Sequence, residues 1–159
     1  LASFLERWRY RPAPYPEGSD FIAHLRAAVP VEHHALLSDV FEHVTTWDLA
    51  VRDAPVAPDG ENGWTLTATI NATQSRTIGR GETEPAPFTA PVELVAFDAD
   101  AEVPVRSEKR VLENGLTTIE WRLLERPTRF GVDPQLLLPD PNPYDNVQTV
   151  QILTTDGSS

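Results

Sequence analysis

The chain has 159 residues, a formal net charge of −11, and neither cysteine nor methionine. The absence of cysteine excludes a disulfide framework, a thiolate metal site and a cysteine nucleophile. The 24 acidic side chains outnumber the 13 basic ones, which argues against binding to nucleic acid or to an anionic membrane surface, because basic side chains must replace the counterions there.

The N-terminal quarter of the chain has the pattern of short amphipathic helices. A first helix carries Phe4, Leu5 and Trp8 on one face and ends before a run of prolines. A second helix is predicted to begin at Asp20, with Ser19 as its N-cap. Apolar residues repeat at helical spacing in this helix and in a third one after Pro30: Phe21, Ile22, Leu25 and Val29, then Leu36, Leu37, Val40, Phe41 and Val44. Two such helices form an αα-hairpin whose apolar faces need something to pack against.

From Thr46 onward the hydrophobic period changes to two, which is typical of β-strands. Apolar residues alternate with polar ones from Trp64 to Ile70 and again around Trp121, so both tryptophan rings are predicted to face inward. Residues 92–97 are apolar at both parities, which favours a central strand. We therefore predict a mainly β fold: an antiparallel, immunoglobulin-like β-sandwich preceded by a short N-terminal α-helical hairpin.

The segments between these strands carry turn signals. Asn114-Gly115 predicts a tight β-hairpin, because a type I′ turn needs positive φ at both central residues. Three glycine- or proline-rich stretches are predicted to be connections rather than strands: residues 53–63, 78–91 and 133–144, the last with Leu136, Leu137 and Leu138 as anchors. A last strand is predicted within residues 147–153.

Histidine spacing supplies no metal motif. A zinc peptidase helix of the H-E-x-x-H type needs two histidines four residues apart, with glutamate after the first. The four histidines of this chain lack that spacing: His24, His33, His34 and His43. We interpret them as exposed or interface side chains on polar helix faces.

Two loops carry groups that an ion or a phosphate could use. Asp98, Asp100 and Glu102 alternate and could offer oxygens to Ca²⁺, but they lack the third Asp or Asn and the glycine of an EF-hand-type loop, which favours a solvated acidic loop. The glycines of the loop from Gly79 to Gly81 match neither a P-loop nor a dinucleotide-binding pattern. The sequence therefore indicates no catalytic, cofactor-binding or metal-binding residue.

Aromatic side chains leave a second class of function open. A sugar-binding platform could be built from Trp8, Tyr10, Tyr15, Trp47, Trp64 and Trp121. On this alternative the chain is a free-standing extracytoplasmic module of the immunoglobulin or fibronectin type that binds a peptide or a glycan. An exposed aromatic row on a sheet would favour ligand binding. Buried strand tryptophans and an apolar patch on the helices would favour docking on another domain.

Short motifs in a fixed order extend from about residue 8 to residue 150. They are Trp8-Arg9-Tyr10, Pro14-Tyr15-Pro16, Asp39-Val40-Phe41-Glu42, Thr46-Trp47-Asp48, Gly79-Arg80-Gly81-Glu82-Thr83-Glu84, Val95-Ala96-Phe97, Gly131-Val132-Asp133-Pro134 and Asn142-Pro143-Tyr144-Asp145-Asn146-Val147. Their order resembles the C-terminal region of a bacterial family in which an ABC-type transporter permease is fused to a zinc metallopeptidase domain of the aminopeptidase N (gluzincin) type. The last two motifs are the most specific ones.

The resemblance implies that the chain lies downstream of the catalytic domain of a membrane-associated zinc peptidase. The start at Leu1 and the absence of methionine fit an excised or processed piece of a longer protein. On this interpretation the chain has three parts: residues 1–45 are the end of a preceding helical domain, residues 46–153 are a β-sandwich accessory domain, and residues 154–159 are a disordered tail.

The expected function is that of a non-catalytic accessory or docking domain. The family's zinc ligands have no counterpart in this sequence, so the fragment is expected to hold no cofactor, and zinc is expected in the parent's peptidase domain. The expected partners are that peptidase domain and another transporter component. Direct membrane insertion is not expected, since no stretch approaches the roughly 18 apolar residues of a span. The parent is expected to be membrane-associated, with this domain soluble on the extracytoplasmic, periplasmic face.

Overall fold

The computed structural model describes residues 1–9, 15–60, 62–78, 81–99 and 103–153. The chain divides after Val44 into a helical unit, residues 1–44, and a β unit, residues 45–159. The predicted boundary, between residues 45 and 46, lies one residue further along the chain. The fold is mainly β with two sheets, which confirms the predicted sandwich class.

Three short helices make up the helical unit. They are α1 (Ala2–Trp8), α2 (Gly18–Ala28) and α3 (His34–Phe41), and a 3₁₀ turn at Val31–His33 precedes α3. The helix α2 begins before the predicted Asp20, because its N-cap is Glu17 and not Ser19. The Asp20 carboxylate accepts the Glu17 backbone N–H at 2.8 Å, while the Glu17 side chain accepts the N–H of Asp20. This reciprocal capping box satisfies two donors that the helix leaves open.

Ten strands lie within the described ranges and form two sheets. In chain order they are β1 (Val44–Asp53), β2 (Pro55–Asp59), β3 (Gly63–Ile78), β4 (Glu82–Ala86), β5 (Pro91–Phe97), β6 (Pro104–Val111), β7 (Gly115–Leu123), β8 (Arg129–Val132), β9 (Val147–Thr149) and β10 (Gln151–Ile152). The six-stranded sheet is built on the long β3, which neighbours β1 and pairs antiparallel with β2, β4 and β7; β10 adds to β2 in parallel. The four-stranded sheet has the antiparallel order β6-β5-β8-β9.

The core of the β unit is made of apolar side chains from both sheets. Residues with no exposed surface include Leu49, Val56, Leu66, Ala68, Ile70, Ala72, Leu94, Ala96, Phe130 and Val132. Trp121 of β7 meets Phe130 of β8 edge to face, with ring centroids 5.7 Å apart, so an aromatic pair joins the two sheets. Trp121 is buried as predicted. Trp64 is only half-buried at the start of β3, where the Arg126 guanidinium lies 5.7 Å from its ring.

The prediction of a β-hairpin at Asn114-Gly115 is wrong. The flanking strands β6 and β7 belong to different sheets, so this dipeptide crosses between sheets and does not close a pair. Gly115 does have the positive φ that the turn signal requires, at 105°. The Asn114 side chain accepts the Gln74 backbone N–H at 2.9 Å and donates to the Ala86 carbonyl at 2.6 Å. It therefore ties the chain crossing to β3 and β4.

Two of the predicted connections contain strands. The strand β2 lies within residues 53–63, and β4 lies within residues 78–91. Pro85 suggested a loop, but β4 pairs on one side only, with β3, and an edge strand tolerates a residue without an N–H. The predicted last strand is two strands, because β9 pairs with β8 and β10 pairs with β2 in the other sheet.

The segment 133–144 is largely irregular, as predicted, and of its three leucines only Leu138 is half-buried. Leu136 is 51% exposed and Leu137 is 69% exposed. The polar groups that follow attach the segment to β1. The Pro139 carbonyl accepts the Trp47 N–H at 3.0 Å, and the Asp140 carboxylate accepts the Leu49 N–H at 3.0 Å. This contact satisfies donors of β1 that its own sheet leaves open.

Candidate docking site on the helical unit

An aromatic cluster joins the three helices of the helical unit. Phe21 of α2 meets Phe4 of α1 with ring centroids 5.2 Å apart, and Phe41 of α3 at 6.1 Å, both edge to face. Phe4 also contacts Trp8 one turn further along α1, at 6.4 Å. Because helices of this length are marginal on their own, these aromatic contacts hold the unit together.

The aromatic cluster is open to solvent. Phe41 is 51% exposed, and no residue of α1 or α2, which are both described throughout, is buried. Other large apolar side chains of the unit are exposed by half or more: Leu1, Leu5, Val31, Val40 and Val44. Exposed apolar surface on this scale makes the helical unit a candidate interaction site.

A groove of about 640 Å³ runs along α1, and we call it the α1 groove. It is lined by Ala2, Phe4, Leu5, Glu6, Trp8, Arg9 and Pro16. Aromatic and aliphatic side chains dominate this lining, and two opposite charges accompany them. Such a composition is typical of the centre of a protein–protein interface and not of a site for a polar small molecule.

Two of the four histidines serve the packing of the helices. The Ser3 hydroxyl lies 2.9 Å from His24 Nε2, and the His24 ring packs on Phe4 with centroids 5.6 Å apart. His34 Nε2–H donates to the Val29 carbonyl at 3.0 Å, across the turn between α2 and α3. His33 and His43 are exposed.

The pair Ser3 and His24 does not complete a nucleophilic site. A serine nucleophile needs a base that a third group orients. Among the described residues no carboxylate forms an ion pair with His24, and the serine–histidine contact lies on exposed surface. In the described part of the chain, no group of three or more His, Cys, Asp or Glu side chains could hold a metal ion.

One ion pair connects α2 to the end of α3. The Arg26 guanidinium lies 2.8 Å from the Glu42 carboxylate. A hydrogen bond from the Ser38 hydroxyl is the largest cause that lowers the Glu42 pKa from its usual value, and Arg26 lowers the pKa further. Both partners are more than a third exposed, so solvent screens the attraction.

The aromatic residues considered for a sugar-binding platform are dispersed. Trp47 is 2% exposed, and its indole N–H donates to Gln74 Oε1 at 2.9 Å. Trp121 is buried and Trp64 is half-buried, whereas Tyr15 is 77% exposed on the helical unit. Tyr10 lies outside the described residues. The described strands thus carry no exposed aromatic row.

The two candidate loops lie mostly outside the described residues. This holds for Asp100, Glu102 and the first two residues of the loop from Gly79 to Gly81. The Asp98 backbone carbonyl accepts a hydrogen bond from the Thr128 hydroxyl, so this end of the acidic stretch is attached to the residue that precedes β8. The predictions for both loops therefore stay predictions.

A second concave site lies on the outer face of the four-stranded sheet, and the sequence pattern did not predict it. Its charged members are Glu93 and Arg129, which are 36 positions apart in sequence and which the pairing of β5 with β8 brings to the same groove. The signal in the sequence is weak. Glu93 interrupts an otherwise apolar strand, and Gly131 interrupts a second one.

The comparisons with known proteins identify no family for the chain. A scan against protein-family models gives no match, and a search of curated protein sequences gives no similar protein. The resemblance to the permease–peptidase family therefore stays a prediction. None of the helices in the described ranges has the length and apolar character that crossing a bilayer requires.

Proposed function

We propose that this chain is a non-catalytic accessory module whose helical unit docks on another protein domain. One observation carries the proposal: Phe4, Phe21 and Phe41 form an aromatic cluster that stays open to solvent beside the α1 groove. Aromatic anchors that are already held in place lose little conformational entropy on binding, which makes them effective at an interface.

The partner that we propose is a zinc-peptidase domain of the aminopeptidase N type in the same polypeptide. Its support is the order of the short sequence motifs, above all residues 131–134 and 142–147. In this arrangement the peptidase domain holds the zinc and the catalytic groups. The parent is membrane-associated and linked to an ABC-type transporter, a further transporter component is a second partner, and the module lies on the periplasmic face.

The rival function, a free-standing module that binds a glycan on an aromatic row, lacks its expected feature in the described strands. Trp47 and Trp121 are used in the core, and Trp64 is covered by Arg126. A peptide ligand does not need such a row.

The choice of partner is tested by the coding sequence of the full-length parent. An H-E-x-x-H motif and membrane-spanning segments are expected upstream of Leu1. A parent that lacks both would overturn the peptidase partner and would leave the docking surface to be tested by itself. Zinc-dependent peptide hydrolysis by the purified chain would overturn the non-catalytic role.

The docking surface is tested by hydrogen exchange. Amides of α1 and α2 are expected to exchange more slowly in the full-length parent than in the separate chain, because the partner covers them. Leu5→Asp, which charges a residue that is 56% exposed in the α1 groove, is expected to remove this protection. The matched control is Leu124→Asp on the β unit, where Leu124 is 88% exposed. Equal exchange of α1 and α2 in both proteins would contradict docking.

A further inference from the structure

The outer face of the four-stranded sheet carries a groove of about 390 Å³. It is lined by Glu93, Val95, Phe97, Pro104, Arg129, Pro134, Gln135 and Val147. Alternate residues of β5 point to one face of the sheet, so Glu93, Val95 and Phe97 lie on the groove side, while Leu94 faces the core. Strand pairing places Gly131 beside Val95. The groove therefore has a rigid β-sheet floor.

Gly131 shapes this floor. A Cβ at this position would lie 3.0 Å from Val147 Cγ2 and 3.5 Å from Phe97 Cε2. Because glycine has no side chain, Val147 and the Phe97 ring approach each other across β8. Their atoms occupy the space that a side chain at residue 131 would need, and together with Val95 they form the apolar surface of the groove.

A cation lies at one end of the groove. The Arg129 guanidinium carbon is 5.6 Å from the Phe97 ring centroid, and Arg129 is half-buried. Within the described residues, no hydrogen bond occupies the N–H donors of this guanidinium. No carboxylate among the described residues forms an ion pair with Arg129. A positioned guanidinium of this kind is suited to bidentate binding of a carboxylate.

An anion lies toward the other end. Arg129 pairs with Phe97, and Glu93 is four residues from Phe97 along β5, a separation of about 13 Å in a strand. Glu93 Oε1 accepts the Ser107 hydroxyl at 2.6 Å, and the carboxylate retains further acceptor capacity. The exposed Gln135 side chain also lines the groove, and no hydrogen bond occupies its amide within the described part of the chain.

We propose that this groove binds a short extended peptide with free termini. The C-terminal carboxylate pairs with Arg129, the N-terminal ammonium pairs with Glu93, and a peptide group hydrogen-bonds Gln135. Three extended residues span about 10 Å, which fits within the separation of about 13 Å between the strand positions of Glu93 and of Phe97, the partner of Arg129. A zwitterion also carries no net charge, so the −11 of the chain does not repel it as it would repel a simple anion. This site is independent of docking by the helical unit.

The test is an amide NMR titration of the whole chain with the tripeptide Ala-Val-Ala. The amide signals of Val95, Gly131 and Val147 are expected to shift in a saturable way. Amidation of the peptide's C-terminus, or Arg129→Gln, is expected to weaken binding about tenfold or more, because each removes a charge-assisted hydrogen bond. Combining the amidated peptide with Arg129→Gln should weaken binding little more than either change alone. At the other end of the groove, N-acetylation of the peptide and Glu93→Gln are expected to weaken binding in the same way.

Arg122→Gln is the matched control, because Arg122 is a highly exposed cation on β7 of the other sheet, and binding should not change. The peptide comparison needs no variant, so the proposal stays testable if Arg129→Gln fails to fold. Equal binding of the free and the amidated tripeptide would overturn it, as would the absence of any shift at the groove. The peptide N-acetyl-Ala-Glu-Ala-amide has no free terminus but carries an acidic side chain. If it binds equally well, the groove recognises an acidic side chain within a protein segment and not a terminal carboxylate, and the proposed ligand is overturned.

Discussion

The helical unit and the β unit differ in how far they bury their apolar side chains. In the β unit Leu66, Leu94 and Phe130 have no exposed surface. Among the described residues of the helical unit, Leu37 of α3 is the only buried apolar side chain, whereas α1 and α2 bury no residue and Leu5 is 56% exposed. Two sheets can enclose a core between their inner faces, whereas short helices with one apolar stripe need a further surface. The closed core makes the β unit the stable part of the chain, and the exposed apolar surface of the helical unit is the basis of the docking function that we propose.

The largest expected effect is a cavity in the core of the β unit. Phe130→Ala removes a fully buried ring that packs against Trp121, and we expect the free energy of unfolding to fall by about 3–5 kcal/mol. Leu116→Ala is the control, because Leu116 is 71% exposed on β7, and its effect should stay within about 0.5 kcal/mol. Urea unfolding measures both. Similar losses for the two variants would show that the β unit lacks the closed core on which the comparison depends.

The next effect concerns a buried polar network in the same unit. Gln74 has no exposed surface, and its Oε1 accepts the Trp47 indole N–H and the Thr89 backbone N–H, both at 2.9 Å. Gln74→Ala leaves the buried Trp47 donor and the part-buried Thr89 donor without this acceptor, so we expect a loss of about 2–3 kcal/mol in urea unfolding. Adding Trp47→Phe should cost less in the Gln74→Ala background than in the native chain. Strictly additive losses would contradict a shared hydrogen bond.

A third variant should move stability in the other direction. Asn146 has no exposed surface, and neither polar atom of its side chain has a hydrogen-bond partner in the described structure. Its backbone carbonyl accepts the Val132 N–H at 2.8 Å, and a substitution keeps this bond. Asn146→Leu keeps the number of side-chain heavy atoms and removes the buried polar atoms, so we expect a gain of about 1 kcal/mol. Asn146→Asp, which adds a buried charge, should be destabilising. A loss for Asn146→Leu would give the amide a role beyond packing.

The predictable part of the fold is the part that local pattern controls. Alternation placed Trp121 in the core, and the apolar run at residues 92–97 predicted a buried strand. The signal at Asn114-Gly115 is equally local, and it predicted the positive φ of Gly115 but not the partner of the strand that follows. Which sheet a strand joins depends on pairing between distant residues, and no short pattern encodes that choice.

The two candidate sites differ in the same way. One-sided helical stripes predicted an exposed apolar surface on the helical unit, because too few elements were available to cover it. The groove on the four-stranded sheet depends on the register that places Gly131 beside Val95 and Arg129 beside Phe97. A shift of one residue would turn these side chains to the other face. The sequence contains these residues, but only the pairing brings them together.

The smallest expected effect is a pH dependence confined to the helical unit. The Ser38 hydroxyl and then Arg26 favour the ionised form of Glu42 and lower its pKa below the ordinary value of 4.5. A carboxylate with a lowered folded-state pKa contributes stability that is complete above the unfolded pKa and is lost as the pH falls through the folded pKa. Acidification from pH 4.5 downward should therefore weaken the connection between α2 and the end of α3. NMR titration of the Glu42 carboxyl carbon measures the direction of the shift, and both Ser38→Ala and Arg26→Gln should move the pKa back toward its ordinary value. An unchanged Glu42 pKa in both variants would contradict these two contacts as the cause of the shift.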